Sequence, residues 1–388
     1  MIGMGLIWPV TPKLIETISG RDISGASLLG GWLFFAYGAM QFLCGPAIGN
    51  LSDAYGRRPV LLLAVAGLGV DYLLTAFAPT MTWLFAGRII AGICGASYVT
   101  ANACLADVTA PEDRAKAFGL MGAAFGLGFV IGPAIGGIVG QWGPRVPFFV
   151  AAGLAIANFA FGYFALPETL ALHNRRPFSL LRSNPAGSLK VFATYRGVLP
   201  TAFAMFVYFV AGAVYPAIWA FWAIARFGWN ELTIGLTLAA FGLLTALSQG
   251  LLTGPIVKAF GEYRTMIFGL AIGAAVSIAY GFVPSLAWVL VLIVLHTPEG
   301  FVNPAMTAIM SHAAPADAQG EMQGGIASLQ SLGMLIGTLF FSQVFGHFAR
   351  PDAFVVSTGV AFYIAGAAMI LTLLLALIWI RPERPTPR

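Results

Sequence analysis

The sequence predicts an all-α membrane protein with twelve transmembrane helices in two six-helix halves. Three observations predict it. Apolar residues fill 59% of the 388 positions, while Asp, Glu, Lys and Arg together fill 9%, against the ~25% charged residues of a soluble domain. The apolar stretches are continuous and helix-length, unlike the alternating strands of a membrane barrel. A pattern of glycines, prolines and charges also returns about 205 residues further on.

Breaks at charges and at Pro/Gly clusters set the spans in order: 1–17, 27–50, 58–78, 81–104, 114–140, 146–166, 197–225, 229–257, 263–283, 285–311, 320–346 and 353–380. The first is short. Its apolar run stops near Val10, before Thr11, Pro12 and Lys13, so either a first helix truncated at its N-terminus or a late start of translation is expected. The sixth and seventh spans are separated by one long polar stretch, 167–196, with Glu168, His173, Arg175, Arg176, Arg182, Lys190 and Arg196. The expected domains are therefore a bundle over 1–166, a linker over 167–196 and a second bundle with a short tail over 197–388.

Cations set the orientation. With the 51–57, 105–113, 167–196, 258–262 and 312–319 loops and the tail on one side, that side carries Arg57, Arg58, Arg114, Lys116, Arg175, Arg176, Arg182, Lys190, Arg196, Lys258, Arg264, Arg381, Arg384 and Arg388. The other carries Lys13, Arg21, Arg145, Arg226 and Arg350. Cytoplasmic loops hold the excess, so the linker and C-terminus are expected in the cytoplasm. The lipid bilayer is the first partner implied.

The same numbers exclude function classes. A secreted or cytosolic globular enzyme and a disordered scaffold are ruled out by the composition. The net charge of +5 is dispersed over loop edges, so no nucleic-acid partner is expected. Cys44, Cys94 and Cys104 lie in apolar stretches, with neither metal spacing nor a disulfide framework. The sequence has no His-Glu-x-x-His, Gly-x-Ser-x-Gly or phosphate-binding Gly-x-x-x-x-Gly-Lys. No enzyme activity, metal or cofactor is expected, and ATP does not drive the protein directly.

The repeat links the two halves. Gly49-Asn-Leu-Ser-Asp53-Ala-Tyr-Gly56-Arg57 falls on Gly254-Pro-Ile-Val-Lys258-Ala-Phe-Gly261-Glu262; Gly128 and Gly132 fall on Gly333 and Gly337; Pro111 and Asp113 fall on Pro315 and Asp317. Parallel six-helix repeats of this kind build transporters with a midplane cavity open to either side in turn.

Physical reasons attach to particular residues. Gly56 permits a tight turn. Asp53 is placed to meet a helix N-terminus of the other half, and Arg57 to pair with Asp107. Together with Gly49 and Arg58 these residues form a candidate conformational latch, against the plainer reading of a charged loop that sets topology. Gly128, Gly132 and Gly136, with Gly137 beside them, make a groove for close helix packing, and Pro133 bends that helix. Asp71, Arg88, His296 and Glu299 lie in or near spans, where charge is costly. Asp71 and Arg88 come out at equal depth on antiparallel neighbours, so they can pair, either as a structural lock or as a proton-coupled switch. Glu299 sits in Pro298-Glu299-Gly300-Phe-Val-Asn303-Pro304, an interval that breaks a membrane helix. It is a candidate for binding a proton or a cationic substrate. Gln41, Tyr98, Asn102, Trp219, Trp222, His296 and Asn303, with Phe34 and Tyr215, are candidate substrate contacts.

Several of these segments resemble a known family. The loop from Gly49 to Pro59 resembles the signature loop of the major facilitator superfamily. Gly128-Phe-Val-Ile-Gly132-Pro133-Ala-Ile-Gly136-Gly137 resembles the antiporter motif of its drug exporters, and Gly87-Arg88 with Gly92 and Gly95 in the fourth span resembles the exporter pattern. Val70-Asp71-Tyr72-Leu73-Leu74, Arg226-Phe227-Gly228-Trp229-Asn230 and the segment Met1–Pro12 look like the tetracycline-resistance branch. Gln41 occupies a position where that branch also carries Gln. Where that branch has an aspartate in its ninth span this chain has Gly273, and where its tenth span is apolar this chain has Glu299.

The resemblance covers the chain. It implies a monomeric drug:proton antiporter of the bacterial inner membrane, working by alternating access on amphipathic small molecules with the proton gradient as energy source. A proton symporter importing a metabolite, or a transport-inactive sensor or scaffold, stay as alternatives.

Overall fold

The computed structural model describes residues 2–110, 113–179, 184, 187–195, 197–315 and 318–380. Met1, Pro111, Arg182, Arg196, Asp317, Arg381, Arg384 and Arg388, used above for span limits, repeat or orientation, lie outside these residues. Every regular element among the described residues is helical.

The first segment is α1 (Ile2–Ile7) followed by α2 (Thr11–Ser19). Pro9 and Pro12 lack N–H donors, so the ladder breaks between them. The Thr11 hydroxyl closes the gap by donating to Ile7 O at 2.6 Å. Then α3 (Ile23–Tyr55) runs for 33 residues, beyond the expected 27–50 at both ends. Asp22 starts it by accepting from Gly25 N at 3.0 Å.

The expected 51–57 loop is corrected. Gly49 to Asp53 are the last turns of α3, and Gly56 alone, at φ +105°, separates it from α4 (Arg57–Phe77). Only glycine adopts that conformation cheaply. The expected 258–262 loop collapses in the same way. Gly261, at φ +79°, is the one residue between the helices that end at Phe260 and begin at Glu262. The repeat thus extends to backbone geometry: two helix–glycine–helix corners 205 residues apart.

The remaining first-half helices are α5 (Met81–Gly95) and α6 (Tyr98–Val108), which form one span, then α7 (Arg114–Gly140) and α8 (Val146–Ala165). Arg145 donates to Ala76 O at 2.6 Å and Ala78 O at 2.7 Å, closing the last carbonyls of α4. A single helical turn, α9 (Val191–Thr194), precedes the second half. There α10 (Val198–Gly212) and α11 (Val214–Phe227) form one span. Next come α12 (Glu231–Leu247), a π-helical piece Ser248–Leu252 and α13 (Thr253–Phe260), again one span. The helix α14 (Glu262–Phe282) is unbroken. The tenth span is α15 (Leu286–His296), a 3-10 segment Thr297–Phe301 and α16 (Val302–His312). The last two are α17 (Gln319–Phe348) and α18 (Val360–Trp379). Among the described residues, eleven spans built from these helices are long and apolar enough to cross a membrane, and α1–α2 precede them.

Two compact units result: residues 1–185 with 228–239, and residues 186–227 with 240–388. The expected linker is divided between them, and the first turns of α12 go with the first unit. Glycine contact is the reason for the second point. A Cβ on Gly137 would stand 2.6 Å from Glu231 O and 3.2 Å from Gly235 Cα, so α7 and the start of α12 touch backbone to backbone.

Candidate functional site

Four clusters carry most of the candidate residues, three in the first unit and one in the second, and a few contact candidates stand apart from them. The first lies at the α3–α4 corner. Arg57 Nη1 donates to Asp53 Oδ1 at 2.5 Å and to Ser52 Oγ at 2.7 Å, and its Nε to Asp107 Oδ2 at 3.2 Å. One guanidinium therefore joins the end of α3 to the end of α6. Its side chain is 10% exposed, and charge-assisted bonds of this kind are the stronger ones. Arg58 instead reaches Tyr163 O at 2.6 Å on α8.

Sequence reasoning missed the residue that anchors this corner, Glu168. Its carboxylate accepts from Arg57 N at 2.9 Å, from Arg58 N at 3.3 Å and from Leu170 N at 3.0 Å. It thereby covers the free N–H groups at the start of α4. Arg175 stands 3.9 Å away. Arg176 N donates to Asp53 O at 3.0 Å, and Asn50 Nδ2 to Ser179 O at 2.6 Å. Residues 168–179 are thus strapped to the signature segment. No sequence signal could have found this, because the partners lie 111 positions apart.

Burial alone would raise the Glu168 carboxyl. The three backbone donors and the Arg175 charge outweigh it, and the net direction is down from the usual 4.5. A lowered folded-state value gives stability that is present above about pH 4.5 and is lost as pH falls through the folded value. Glu168→Gln is expected to lower the melting temperature at pH 7 and to flatten its fall on acidification. Thermal unfolding of purified protein at pH 7 and pH 4 checks both.

The second cluster is Asp71 with Arg88. Asp71 on α4 is 0% exposed. Arg88 Nη2 on α5 donates to its Oδ1 at 2.8 Å and Oδ2 at 2.6 Å, and Thr75 Oγ1 lies 3.4 Å from Oδ1. Gly87 makes the approach possible, since a Cβ there would stand 2.6 Å from Asp71 Oδ1. The buried Tyr37 hydroxyl, which has no partner, is close enough to feel both charges.

The third cluster is the α7 groove. A Cβ on Gly132 would stand 2.8 Å from Gly5 Cα and from Ile2 O, and one on Gly136 would overlap Leu6 O. Gly5 in turn faces Gly128 O and Pro133 Cδ. The small residues of α7 therefore hold α1 on one face, while Gly137 receives α12 on another. The second unit repeats the device: Gly333 and Gly337 of α17 face Phe209 and Val210 of α10 and Ala213 just beyond it.

Three first-unit contact candidates, Gln41, Tyr98 and Asn102, lie near the α5–α6 join. Gln41 Nε2 donates to Gly95 O at 3.4 Å, and Asn102 Nδ2 to Tyr98 O at 3.1 Å. Tyr98 is 42% exposed, with its ring 6.4 Å from that of Phe125. Phe34 is half-buried.

The fourth cluster is in the second unit. His296 ends α15, and Glu299 sits on the 3-10 turn that follows, 3.5 Å from His296 Nε2. Pro298 costs this stretch its regular ladder. Side chains of the facing π-helical piece replace part of it: Ser248 Oγ lies 3.5 Å from Thr297 O, and Gln249 Nε2 donates to Gly300 O at 3.2 Å. Single π turns inside α-helices often mark functional sites. Gly273 leaves the space that Glu299 fills, since a Cβ there would stand 2.8 Å from Glu299 Cγ. Tyr208 lies close enough for its hydroxyl to feel the Glu299 charge, and Asn303 accepts from Thr307 at 3.4 Å.

Around this turn the aromatics close into a core. The Tyr215 ring is 4.6 Å from His296, and its hydroxyl is 2.7 Å from Ser277 Oγ. Trp219 and Trp222 pack 5.4 Å from each other, and Trp222 lies 5.1 Å from Phe362. At 6% and 1% exposure, the two tryptophans are inside the helix packing of the second unit. Tyr208, Tyr215, Ser248, Gln249 and Ser277 join this cluster only through tertiary contact; of these, only Tyr215 was singled out from the sequence.

Comparison with known proteins agrees along the whole chain. The Major Facilitator Superfamily profile matches residues 1–338 and 201–388. The chain is 39% identical to tetracycline resistance protein, class C, of Escherichia coli, over 97% of this chain and 93% of that protein. It is 36% identical to tetracycline resistance protein, class G, of Vibrio anguillarum, over 89% of this chain and 87% of that one. The crystal structure of the human organic anion transporter MFSD10 (TETRAN) superposes with a TM-score of 0.70 at 22% identity. That match covers 97% of this chain and 95% of the human one, and shows a shared fold.

Proposed function

We propose, for a chain that belongs to the Major Facilitator Superfamily and to its tetracycline-resistance-like branch, that it exports amphipathic drugs across a bacterial inner membrane in exchange for protons. The buried Asp71–Arg88 pair carries the reading. A carboxylate in an apolar helix pair is costly, and a transporter that exchanges protons needs a group whose charge changes as the protein changes state. With the proton on Asp71 the pair loses its attraction and Arg88 is released; without it the pair re-forms. The glycine groove of α7 supports exchange over leak, because backbone-to-backbone contact with α1 and α12 narrows the space between these helices.

Alternating access of the two halves, with the linker and C-terminus in the cytoplasm, completes the proposal. The corner at Arg57, Asp53 and Asp107 is its latch. The protein acts as a monomer, needs no cofactor and draws on the proton gradient. Glu299 selects cationic substrates, with Gln41, Tyr98, Asn102, Asn303 and His296 as further candidate contacts; Trp219 and Trp222, enclosed by aromatic rings, leave that set.

Drug-susceptibility profiling tests this. Cells expressing the chain are expected to resist tetracycline-like or cationic amphipathic compounds and to lose that resistance with a proton uncoupler. Resistance that survives the uncoupler, or no change for any compound, overturns the reading. Within the same assay, Glu299→Gln is expected to lose cationic compounds selectively and to keep neutral ones.

A further inference from the structure

His296 is 2% exposed, and neither of its ring nitrogens has a hydrogen-bond partner. A buried polar group left unpaired calls for an explanation in strain, an ion or a chemical role. Its Nε2 stands 3.5 Å from Glu299 Oε2, at the outer limit of a hydrogen bond. A proton between the two, with a small rotation of either side chain, closes that gap.

Neutral side chains face the pair from four helices. From α10 the Tyr208 hydroxyl is near enough to feel Glu299. From α11 Tyr215 faces the imidazole with its hydroxyl already bound to Ser277. From α14 Tyr280 lies 6.0 Å away, ring to ring, and its own buried hydroxyl is unpartnered. From α12 Phe241 closes the remaining side at 5.2 Å. The tyrosines are neutral at physiological pH. Among the described residues, no lysine, arginine or aspartate pairs with His296 or Glu299.

We propose that His296 and Glu299 form one proton-sharing site, separate from Asp71–Arg88, so that each unit of the chain carries a proton site of its own. The pair holds one proton in either of two forms: carboxylic acid beside neutral imidazole, or carboxylate beside imidazolium. They differ only by transfer of that proton between Oε2 and Nε2, and both are net neutral. Loss of the proton to water leaves one net negative charge among aromatic rings, and such a charge calls for a cation. On the drug-exchange reading above, the cationic substrate takes the proton's place. Ser248 and Gln249 hold the turn that keeps the two groups within reach.

The test is an infrared pH titration of purified, substrate-free full-length protein, so that its outcome is independent of export. The carboxylic-acid band lost in Glu299→Gln identifies Glu299. In His296→Gln that band is expected to change its midpoint by about one pH unit or more, as for coupled groups, while the band lost in Asp71→Asn stays in place. An unmoved Glu299 midpoint overturns the proposal, and so does a Glu299 carboxyl with no titration.

A second measurement covers the case in which His296→Gln does not fold. In a chain with His173, His312 and His347 replaced by Gln, ¹⁵N-histidine resonance reports His296 alone. Its nitrogens and the Glu299 band are expected to respond at common midpoints. Unrelated midpoints overturn the proposal. Export that fails while the pair titrates together overturns the proposed function and leaves the pair standing.

Discussion

Arg88→Ala is expected to destabilise the protein by about 3–5 kcal/mol, the cost of removing one partner of a buried ion pair. Asp71 is wholly enclosed, and Arg88 Nη2 serves both of its carboxylate oxygens. Thr75, at 3.4 Å, cannot replace that guanidinium. Removing both partners strands no charge, so Asp71→Ala with Arg88→Ala is expected to recover much of the loss. Thermal unfolding in detergent reads both variants. Proton-driven drug accumulation in vesicles then separates lock from switch. Asp71→Asn is expected to abolish the proton dependence, and a variant that still accumulates drug on a pH gradient would leave the pair a purely structural lock.

The second large effect is expected in the α7 groove. Gly132→Val places a branched side chain where a Cβ alone meets Gly5 Cα and Ile2 O at 2.8 Å. Backbone cannot rotate aside as a side chain does, so α1 and α7 must separate. Overpacking of this kind costs about 1–3 kcal/mol, and more where nothing yields. Unfolding temperature and transport are both expected to fall. Gly126→Ala is the internal control, because a Cβ there meets nothing within 4 Å. An equal loss in the two variants would show that α7 responds to helix composition and not to its contact with α1.

How much of this was legible in advance differs between elements. The four-residue glycine spacing of α7 was visible, and the groove follows from helical periodicity alone. So was the equal depth of Asp71 and Arg88, since both are counted from one turn at Pro79 at a fixed rise per residue. The signature segment was read as a loop because Gly49, Asn50, Ser52, Asp53 and Gly56 are turn-forming residues. In the structure the first four stay helical, and Gly56 alone makes the corner.

Trp219 and Trp222 show the opposite limit. Spacing and residue type mark them as large aromatic side chains on one helix, but whether such a side chain meets a ligand or another ring depends on neighbours far along the chain. Here those neighbours are Tyr280 and Phe362. Glu299 lies between the two cases. The prolines at 298 and 304 announced a broken helix, while the residues that satisfy the freed carbonyls, Ser248 and Gln249, sit some 50 positions earlier.

The sequence by itself determined the helical membrane architecture, the duplication and the pairing of Asp71 with Arg88. These follow from composition, from the 3.6-residue period and from the cost of charge in hydrocarbon, all of which are local or additive along the chain. Only the tertiary structure decided that Glu168 covers the start of α4, that a π turn opposes the 3-10 turn of Glu299, and that His296 is enclosed without a hydrogen bond. Those are pairings between distant residues. Hydrogen bonding and close packing act over a few ångströms, so what a side chain does is settled by which helix the fold sets beside it.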